Sequence, residues 1–333
     1  MSRVVSYERL EFENGAKSKF YNGIHGFYNR FARVVLNEKW GFINEEGEEV
    51  VPLKYDSVEN FWNGFAIVQC EGKFGFITEN GEELVPLKYD AVLNFCNSFA
   101  CVAINHKWGF IDNKGEEVVP LIYNEVRDFG NGYARARLGD KWGVVNERGE
   151  VTISYIYDDI EYYQKGLVRV KTGDKWGLVD DKQNQIIEPK YNSFDQFVEG
   201  YARVESSGKW GFVNEKGEEV IPLKYDGVTY FQNGFSQVKL KRKWGSINKQ
   251  GKVVVPIKYK CEERFEEGLS RVERGSKYGF VDVTGKEVIP TKYNYADLYF
   301  KNGRCHVTIK NLLGHVKYTI DRNGNILDQI IYY

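Results

Sequence analysis

The sequence predicts an all-β protein made of tandem 34-residue repeats, and three observations support this fold class. A tripeptide of lysine, an aromatic residue and glycine recurs eight times, and every interval is 34 residues. A tyrosine follows each of these lysines by 16 residues. The chain has 34 Gly, 23 Tyr and 21 Phe but one Met, a composition typical of short strands and tight turns. A fixed period of this kind indicates a repeat architecture.

Several sequence positions recur with this period and define columns of equivalent residues. The tripeptide lysines are Lys39, Lys73, Lys107, Lys141, Lys175, Lys209, Lys243 and Lys277. The tyrosines are Tyr55, Tyr89, Tyr123, Tyr157, Tyr191, Tyr225, Tyr259 and Tyr293. An aromatic residue follows six positions later, at Phe61, Phe95, Phe129, Tyr163, Phe197, Phe231, Phe265 and Tyr299. Six of the seven prolines form one more column, at Pro52, Pro86, Pro120, Pro222, Pro256 and Pro290.

Each repeat is predicted to begin with two paired strands. Residues 201–205 alternate apolar and polar side chains, as a half-buried strand does. Ser207 and Gly208 then supply a two-residue hairpin turn. Residues 209–213 form the second strand, in which alternation places Trp210 and Phe212 on one face.

A third strand completes the predicted repeat. Residues 214–217 form a turn in which Gly217 is expected to take a positive φ. Residues 219–221 form the third strand, and Pro222 ends it because proline has no N–H to donate. Residues 225–231 are predicted to be irregular chain or a short helical turn. The repeat is therefore a three-stranded β-meander, since glycine within segments and a period of two disfavour long helices.

Two arrangements of such repeats satisfy the pattern. We favour an open twisted or superhelical array, and the alternative is a closed eight-bladed β-propeller. Propeller repeats run to about 40–45 residues with four strands, and three short strands in 34 residues are fewer than that. The phases at which the repeats begin and end keep ring closure as the alternative. Small-angle scattering distinguishes the two by maximum dimension.

The repeats predict one structural domain with three parts. Residues 1–38 form an N-terminal cap and half repeat, because residues 27–34 match the end of a repeat. Residues 39–310 hold the eight repeats, and residues 311–333 form a degenerate C-terminal cap repeat. Atypical terminal repeats are expected because the end faces of an array need cover.

Charge and composition argue against nucleic-acid and membrane partners. The 46 Lys and Arg nearly cancel the 47 Asp and Glu, so no net field attracts an anionic polymer or surface. No apolar run reaches the roughly 18 residues that a membrane span needs, and residues 1–19 lack the apolar core of a signal peptide. We expect a cytoplasmic protein, or an exported one whose leader was removed. The five irregularly spaced cysteines predict free thiols rather than a disulfide framework.

No residue is predicted to catalyse a reaction or to bind a cofactor or metal. The Gly-Glu-Glu triplets recur in turn phase, which is typical of solvated hairpin ends rather than of a catalytic carboxylate pair. His306 and His315 lie near Cys305, but no carboxylate spacing supports a metal site at these residues. No phosphate-binding glycine loop occurs. The chain is therefore predicted not to be an enzyme.

Three basic columns have two interpretations. Their stems pack on aromatic rings while their charges pair with carboxylates, or they form a row that binds an anionic partner. A second lysine column comprises Lys54, Lys88, Lys190, Lys224, Lys258 and Lys292. An arginine column comprises Arg33, Arg135, Arg169, Arg203 and Arg271. The candidate binding residues from these columns are Lys54, Lys88, Lys224, Arg135 and Arg203.

One column differs from repeat to repeat and is therefore free of the shared packing role. It comprises Trp62, Cys96, Gly130, Gln164, Val198, Gln232 and Glu266. Trp62 is a candidate contact residue, because aromatic residues are favoured in interfaces, and loop variation without function is the alternative. Recurring aromatics are assigned to the structure of the repeat instead, namely Trp40, Trp108, Trp142, Trp176, Trp210, Trp244, Tyr55, Tyr89 and Tyr225.

The pattern KWGFIN-x2-GEEVVP-x-KYD, at residues 39–56 and nearly repeated at residues 209–226, resembles the WG repeat of bacterial proteins. The resemblance covers roughly residues 27–300. It implies a bacterial β-repeat protein and carries over no catalytic residue. The departures are Phe74 and Tyr278 in place of Trp, Gln183 in place of a turn glycine and Ser154 in place of proline.

These observations predict a non-catalytic repeat scaffold that binds a protein or peptide, since extended repeat surfaces serve this role. Exposed strand edges are a second means of engaging a peptide. The alternative is a glycan or cell-surface binding module that uses the aromatic and lysine ladders. Burial of the ladder aromatics would argue against this alternative, because a buried ring cannot stack on a sugar.

Overall fold

The computed structural model describes residues 19–127, 129–130, 132–162, 166–311 and 314–332. These residues form thirty-six β-strands and no α-helix. The strands make nine four-stranded antiparallel sheets, each with its strands in sequence order, and none closes on itself within the described residues. The all-β tandem-repeat fold class predicted from the sequence is confirmed.

The strands follow one another along the chain in groups of four, one group to each sheet. In sheet 1, β1–β4 are Gly23–Ile24, Ala32–Leu36, Lys39–Ile43 and Glu49–Tyr55; in sheet 2, β5–β8 are Ser57–Val58, Phe65–Cys70, Lys73–Thr78 and Glu83–Tyr89; in sheet 3, β9–β12 are Ala91–Val92, Phe99–Ile104, Lys107–Asp112 and Glu117–Tyr123. In sheet 4, β13–β16 are Glu125–Val126, Tyr133–Leu138, Lys141–Asn146 and Val151–Tyr157; in sheet 5, β17–β20 are Asp159–Tyr162, Leu167–Thr172, Lys175–Asp180 and Gln185–Tyr191; in sheet 6, β21–β24 are Ser193–Val198, Tyr201–Ser206, Lys209–Asn214 and Glu219–Tyr225. In sheet 7, β25–β28 are Gly227–Val228, Phe235–Leu240, Lys243–Asn248 and Val253–Tyr259; in sheet 8, β29–β32 are Cys261–Glu262, Leu269–Arg274, Lys277–Asp282 and Glu287–Tyr293; in sheet 9, β33–β36 are Tyr295–Ala296, Arg304–Asn311, Gly314–Asp321 and Ile326–Tyr332.

The sheets are offset from the sequence repeat. The lysine tripeptide opens the third strand of a sheet, so each sheet begins just after the tyrosine column. The N-terminal half repeat supplies the first two strands of sheet 1, and residues 295–332 form sheet 9. The eight copies of the tripeptide therefore lie in the first eight of the nine sheets.

Each sheet has one strand more than the three that the sequence predicts. In sheet 7 the additional strand is Gly227–Val228, which pairs with Lys239 and Val238 of β26. The backbone N–H groups of Asp226 and Thr229 extend this pairing on either side. The sequence predicts irregular chain for this segment because two paired residues are too few to show alternation.

Pro222 does not end the fourth strand of sheet 6, in contrast to the prediction. Trp210 pairs with Tyr225 and Phe212 pairs with Ile221, so the fourth strand has two more residues than the third over this interval. These additional residues form a bulge, where proline is tolerated because no ladder N–H is required. Gly211 lies under the bulge, and a Cβ on this glycine would come within 2.9 Å of the Pro222 carbonyl carbon.

The two hairpin turns have the conformations that the sequence predicts. Ser207 and Gly208 have φ values of 54° and 75°, as a two-residue hairpin turn of the I′ type requires. Gly217 has a φ of 84°, and a Cβ on it would lie 2.7 Å from the Ile186 carbonyl oxygen of sheet 5. This turn therefore needs glycine for its backbone conformation and for its close contact with the preceding sheet.

Both faces of an internal sheet are buried against its neighbours in the same unit. Phe42, Val51 and Tyr55 of sheet 1 form one core with residues of sheet 2, including Phe61 and Ala66. The opposite face of sheet 2 forms the next core with sheet 3, and the arrangement recurs along the chain. The apolar face of each sheet is therefore covered by a neighbouring repeat.

One predicted ring position is wrong in the last sheet. The predicted aromatic column extends to Tyr299, but Phe300 is the buried residue and its ring stacks on Phe280 at 5.0 Å. An insertion of one residue shifts the column in this sheet. Tyr163 and Gln164, also assigned to columns, lie outside the described residues.

The contacts between Cα atoms divide the chain into two compact units. The first unit holds sheets 1–4 and ends at Ile160, and residues 181–183 belong to it as well. The second unit begins at Glu161 and holds the remainder of sheet 5 and sheets 6–9.

Candidate functional site

The tripeptide lysine forms an ion pair that joins consecutive sheets. Lys209 Nζ lies 2.5 Å from Asp226 Oδ1, and Asp226 Oδ2 accepts the N–H of Lys241 at 2.7 Å. The hydrogen bond from Lys209 and then that from the Lys241 backbone hold the pKa of Asp226 below its usual value. Equivalent pairs are Lys39–Asp56, Lys73–Asp90 and Lys141–Asp158. In these repeats the charge of the tripeptide lysine is therefore paired with a carboxylate within the fold.

The second lysine column packs on the tyrosine column. The Nζ atoms of Lys54, Lys88 and Lys224 lie 5.0, 5.0 and 5.2 Å from the ring centroids of the tyrosines that follow them. Lys54 Nζ also lies 2.8 Å from a carboxylate oxygen of Glu83. These cation–π and ionic contacts give the three lysines a role within the fold.

Four arginines of the arginine column, Arg33, Arg135, Arg203 and Arg271, connect their own sheet to the first strand of the next. Arg135 Nη1 donates to the Ile160 carbonyl oxygen at 2.7 Å, and Arg203 Nη1 donates to that of Val228 at 3.0 Å. Arg203 also pairs with Asp195 at 2.6 Å. Because the two arginines are occupied by these contacts, they are not a free basic surface.

The recurring aromatic residues lie in the interior or under cations. Tyr55, Tyr89 and Tyr225 are each about 1% exposed. The tripeptide tryptophans are half-buried, and several carry a cation over the ring. For example, Arg203 lies 5.5 Å from the Trp210 ring centroid. Burial also raises the pKa of the Tyr191 hydroxyl to about 12. The structural assignment of these columns is therefore consistent with their positions.

The variable column occupies the tips of tight turns between the first and second strands. Trp62 is 50% exposed and is fixed by two backbone hydrogen bonds with Phe65, at 2.7 and 3.1 Å. The same bridge recurs at other tips, whose first residues are Tyr28, Cys96, Gly130, Gln232, Glu266 and Lys301. The backbone is the same at these tips, whereas the side chain differs from one to the next.

Side chains of the turn hold the tips against the following repeat. Asn63 Nδ2 donates to the Phe95 carbonyl oxygen at 3.2 Å, and Asn97 Nδ2 donates to that of Phe129 at 2.9 Å. At Glu199 the direction is reversed, because its carboxylate accepts the N–H groups of Asn233 and Gly234. The tips are therefore anchored positions rather than loose loops.

Sequence reasoning missed a buried polar group between sheets 7 and 8. Ser246 stands in the column that holds Phe in five repeats, and Glu262 stands where other repeats have an apolar residue. The two side chains are hydrogen-bonded to each other, and Glu262 is 3% exposed. Comparison of columns would have revealed both departures, but their contact required the three-dimensional structure.

The histidines and cysteines near the C-terminus do not come together as a metal site. His306 Nδ1 lies 2.8 Å from Asp297 Oδ2, and no group of three or more His, Cys, Asp or Glu suited to a metal occurs in the part of the chain that the structure describes. Cys70, Cys96, Cys261 and Cys305 are thiols rather than members of a disulfide. Over the described ranges, no helix meets the length and apolarity that a membrane span requires.

Comparison with known proteins adds several distant structural likenesses. Solved structures that match the chain include a eukaryotic initiation factor, with 13% identity, a TM-score of 0.34, and coverage of 79% of this chain and 83% of that one. YCF48 bound to D1 peptide has 12% identity and a TM-score of 0.28, with coverage of 70% and 93%. PorZ of Porphyromonas gingivalis has 8% identity and a TM-score of 0.27, with coverage of 93% and 52%. No curated protein matches the chain.

The family described as WG containing repeat matches eight consecutive segments between residues 40 and 312. Each segment runs from one tripeptide aromatic to the next, so the match has the period of the residue columns. These segments cover most of the 333 residues. The chain therefore belongs to the WG-repeat family.

Proposed function

We propose that the chain is a non-catalytic repeat scaffold that binds a protein or peptide through its turn tips. The supporting observation is the contrast between recurring and variable positions. Residues of the recurring columns, such as Lys209, Arg203 and Tyr225, are engaged in ion pairs, contacts between sheets and packing. The variable positions are presented on a common, anchored backbone. A surface of this kind keeps its geometry while its side chains are free to recognise a partner.

Trp62 is the proposed anchor of the first unit. Its ring is half exposed on a tip whose backbone is fixed by Phe65 and whose Asn63 contacts the next sheet. A rigid backbone lowers the entropy that is lost on binding. Tryptophan is among the residues that most often dominate binding energy.

Glycan binding is less well supported than peptide binding. The tyrosine and phenylalanine ladders are buried, and only an exposed ring can stack on a sugar. The half-buried tripeptide tryptophans are partly covered by arginine and lysine side chains. A glycan would therefore have to rely on isolated rings such as Trp62.

Selection of a random peptide library on the immobilised full chain tests the proposal. We expect enriched peptides, a subset of which loses at least tenfold in affinity with W62S, since a buried tryptophan anchor contributes more than about 1.4 kcal/mol. The matched control is I122S, because Ile122 is also exposed and apolar but lies on β12 rather than on a tip. The proposal fails if no peptide is enriched, or if every enriched peptide is weakened equally by both substitutions.

A further inference from the structure

The interface between sheets 7 and 8 has polar residues in two stacked columns that are apolar at the other interfaces, and it shares a third polar position with the interface before it. Ser246 replaces the phenylalanine found at Phe42 and four other repeats, and Glu262 replaces the valine found at Val58. Ser270 replaces the alanine found at Ala66, as Ser236 does one repeat earlier. The core at this interface has five buried residues, against eight between sheets 1 and 2. One interface of the array has thus lost apolar volume and gained polar groups.

The lost volume is that of a ring. In the first interface, Phe61 stacks on both Phe31 and Phe42 of the preceding sheet, with centroids 4.7 and 4.6 Å apart. Phe231 stacks on Tyr201 and Phe212 in the same way. At the interface of sheets 7 and 8, Phe265 keeps one such neighbour, Phe235, at 4.8 Å. The second neighbour is replaced by Ser246.

A cleft of about 380 Å³ lies where this ring is missing. Its walls include Phe231, Phe235 and Phe265, and Ser246 is part of its lining. Val198 and Gln232, both members of the variable column, also line it. The volume is near the lower limit of ligand pockets, which is suited to one side chain rather than to a larger molecule. The cleft therefore connects the tip surface with the interior of the second unit.

Ser246 and Gln237 bring hydrogen-bond acceptors into the lining of the cleft, and Glu262, which is not part of this lining, is hydrogen-bonded to Ser246. The Ser246 hydroxyl donates to Glu262 Oε1, and the Ser270 hydroxyl is 3.3 Å from the same oxygen. Glu262 Oε2 is buried and has no hydrogen-bond partner among the described residues. Gln237, another lining residue, donates through Nε2 to the Glu262 carbonyl oxygen, so its amide oxygen is a further acceptor. A ligand that carries a donor can therefore pair with the Ser246 hydroxyl oxygen or with the Gln237 amide oxygen, both of which belong to the lining.

The cleft favours an aromatic donor over a cationic side chain. Arg264 lines the cleft and is exposed, with its guanidinium 5.0 Å from the Tyr299 ring centroid. Arg264 Nε also lies 3.8 Å from a Glu266 carboxylate oxygen. A lysine or arginine side chain would find no carboxylate among the described residues that line the cleft, and an aliphatic chain would leave the acceptors of the lining unpaired. Aromatic walls favour a planar ring, with pairs spaced as in the other interfaces.

We infer that this cleft binds a tyrosine or tryptophan side chain of a partner peptide, whose ring takes the place of the missing phenylalanine and whose hydroxyl or indole N–H donates to the Ser246 hydroxyl oxygen or the Gln237 amide oxygen. The inference rests on the proposed peptide-binding function and names the side chain that the second unit recognises. The ring stacks on Phe265 and Phe235, and the peptide backbone lies along the tip at Gln232.

Side-chain analogues titrated into the full chain, followed by protein NMR, test the inference without a partner. We expect 4-methylphenol and 3-methylindole to bind with a Kd on the order of 1 mM, in keeping with small ligands of this size. Toluene lacks a donor and propylguanidinium carries a cation, so each should bind at least fivefold more weakly. Equal binding of toluene, tighter binding of propylguanidinium, or no binding of any analogue would overturn the inference.

The double variant S246F/E262V restores the residues of the other repeats and should abolish binding of 4-methylphenol. Its matched control is S154P/Q183G, which also restores two column residues but in the first unit, and which should leave binding unchanged. If S246F/E262V does not fold, nuclear Overhauser effects in the wild-type chain decide instead, since bound 4-methylphenol must contact the Phe265 ring. Absence of that contact would overturn the inference.

The outcomes separate this inference from the proposed function. Analogue binding together with a peptide library that yields no binder would reject the proposed function and leave the cleft as a small-molecule site. Peptide binding that W62S weakens, together with no analogue binding, would reject the cleft and leave the tips.

Discussion

Replacing Gly211 by alanine should damage the fold far more than replacing Gly208, although the two lie three residues apart. Gly208 is in a hairpin turn with a φ of 75°, and no atom lies within 4 Å of where its Cβ would be. Gly211 lies in β23 under the bulge of β24. Comparing the two variants therefore distinguishes the energetic cost of an unfavourable backbone conformation from that of a steric clash between two strands.

The structure sets the size of each effect. A Cβ on Gly211 would collide with the Ile221 carbonyl oxygen and lie 2.9 Å from the Pro222 carbonyl carbon, whereas ordinary contacts begin at 3.4 Å. The contact with Pro222 alone requires the strands to separate by about 0.5 Å, and the closer Ile221 oxygen requires more. Because the obstacles are backbone atoms, we expect a cost of about 3 kcal/mol, the upper end of overpacking costs. A left-handed conformation at residue 208 should cost alanine about 1 to 2 kcal/mol.

Urea denaturation of the two variants and the wild-type chain measures this difference in the free energy of unfolding. Both substitutions lie in one hairpin of sheet 6 and perturb the same transition, which keeps the comparison valid if the two units unfold separately. The reasoning is wrong if G211A lowers the free energy of unfolding no more than G208A does.

Three further predictions concern polar contacts. Burial raises the pKa of Glu262 to about 7, so between the ordinary carboxyl pKa and 7 the folded chain holds a proton that the unfolded chain has lost. The free energy of unfolding should therefore fall by roughly 3 kcal/mol as pH rises through this window. Thermal melts from pH 4 to 8 should show this fall in the wild-type chain and not in E262Q. Gln183 Oε1 accepts the backbone N–H of Ser154 at 3.0 Å, at a position where six other repeats have proline and need no acceptor. If Gln183 compensates in this way for the missing proline, a double-mutant cycle of S154P and Q183G should give a favourable coupling of about 1 kcal/mol, whereas additive effects would refute it. The pKa of Asp226 is held low chiefly by Lys209, so K209M should raise it in carboxyl NMR titrations, and an unchanged pKa would contradict the ion pair.

The period of the sequence predicts the features that every repeat shares. Ser207, Gly208 and Gly217 have the positive φ values expected from their turn positions. These values could be predicted because the preference for glycine in a turn depends on the backbone conformation of that residue alone. The all-β class follows from the same local signals.

Features that depend on pairing across the chain could not be predicted. The strand Gly227–Val228 has two residues, too short for alternation to appear. The bulge at Pro222 depends on its partner strand, which brings Gly211 beneath it. Proline in the sequence therefore indicates the end of a strand that in fact continues to Tyr225.

The candidate site could be predicted in part. The variation of its column identifies Trp62 as exposed, and the structure places it on a tip. The sequence predicts Arg135 and Arg203 as binding residues. It does not show that their guanidinium groups donate to carbonyl oxygens 25 residues later in the chain, which is where the structure places them. The role of Glu262 could not be predicted for a similar reason, since it depends on a hydrogen bond with Ser246 of another sheet.

Each sheet is expected to be stabilised by the sheets adjacent to it in the same unit. Residue-resolved hydrogen exchange of F231A tests this most directly, because Phe231 joins the rings of sheet 6 to sheet 7. A cavity of this kind costs about 3 to 5 kcal/mol, and exchange should accelerate at least tenfold in residues 193–259. Residues 295–332 should retain their protection. Acceleration confined to sheet 7, or equal acceleration through sheet 9, would contradict the claim.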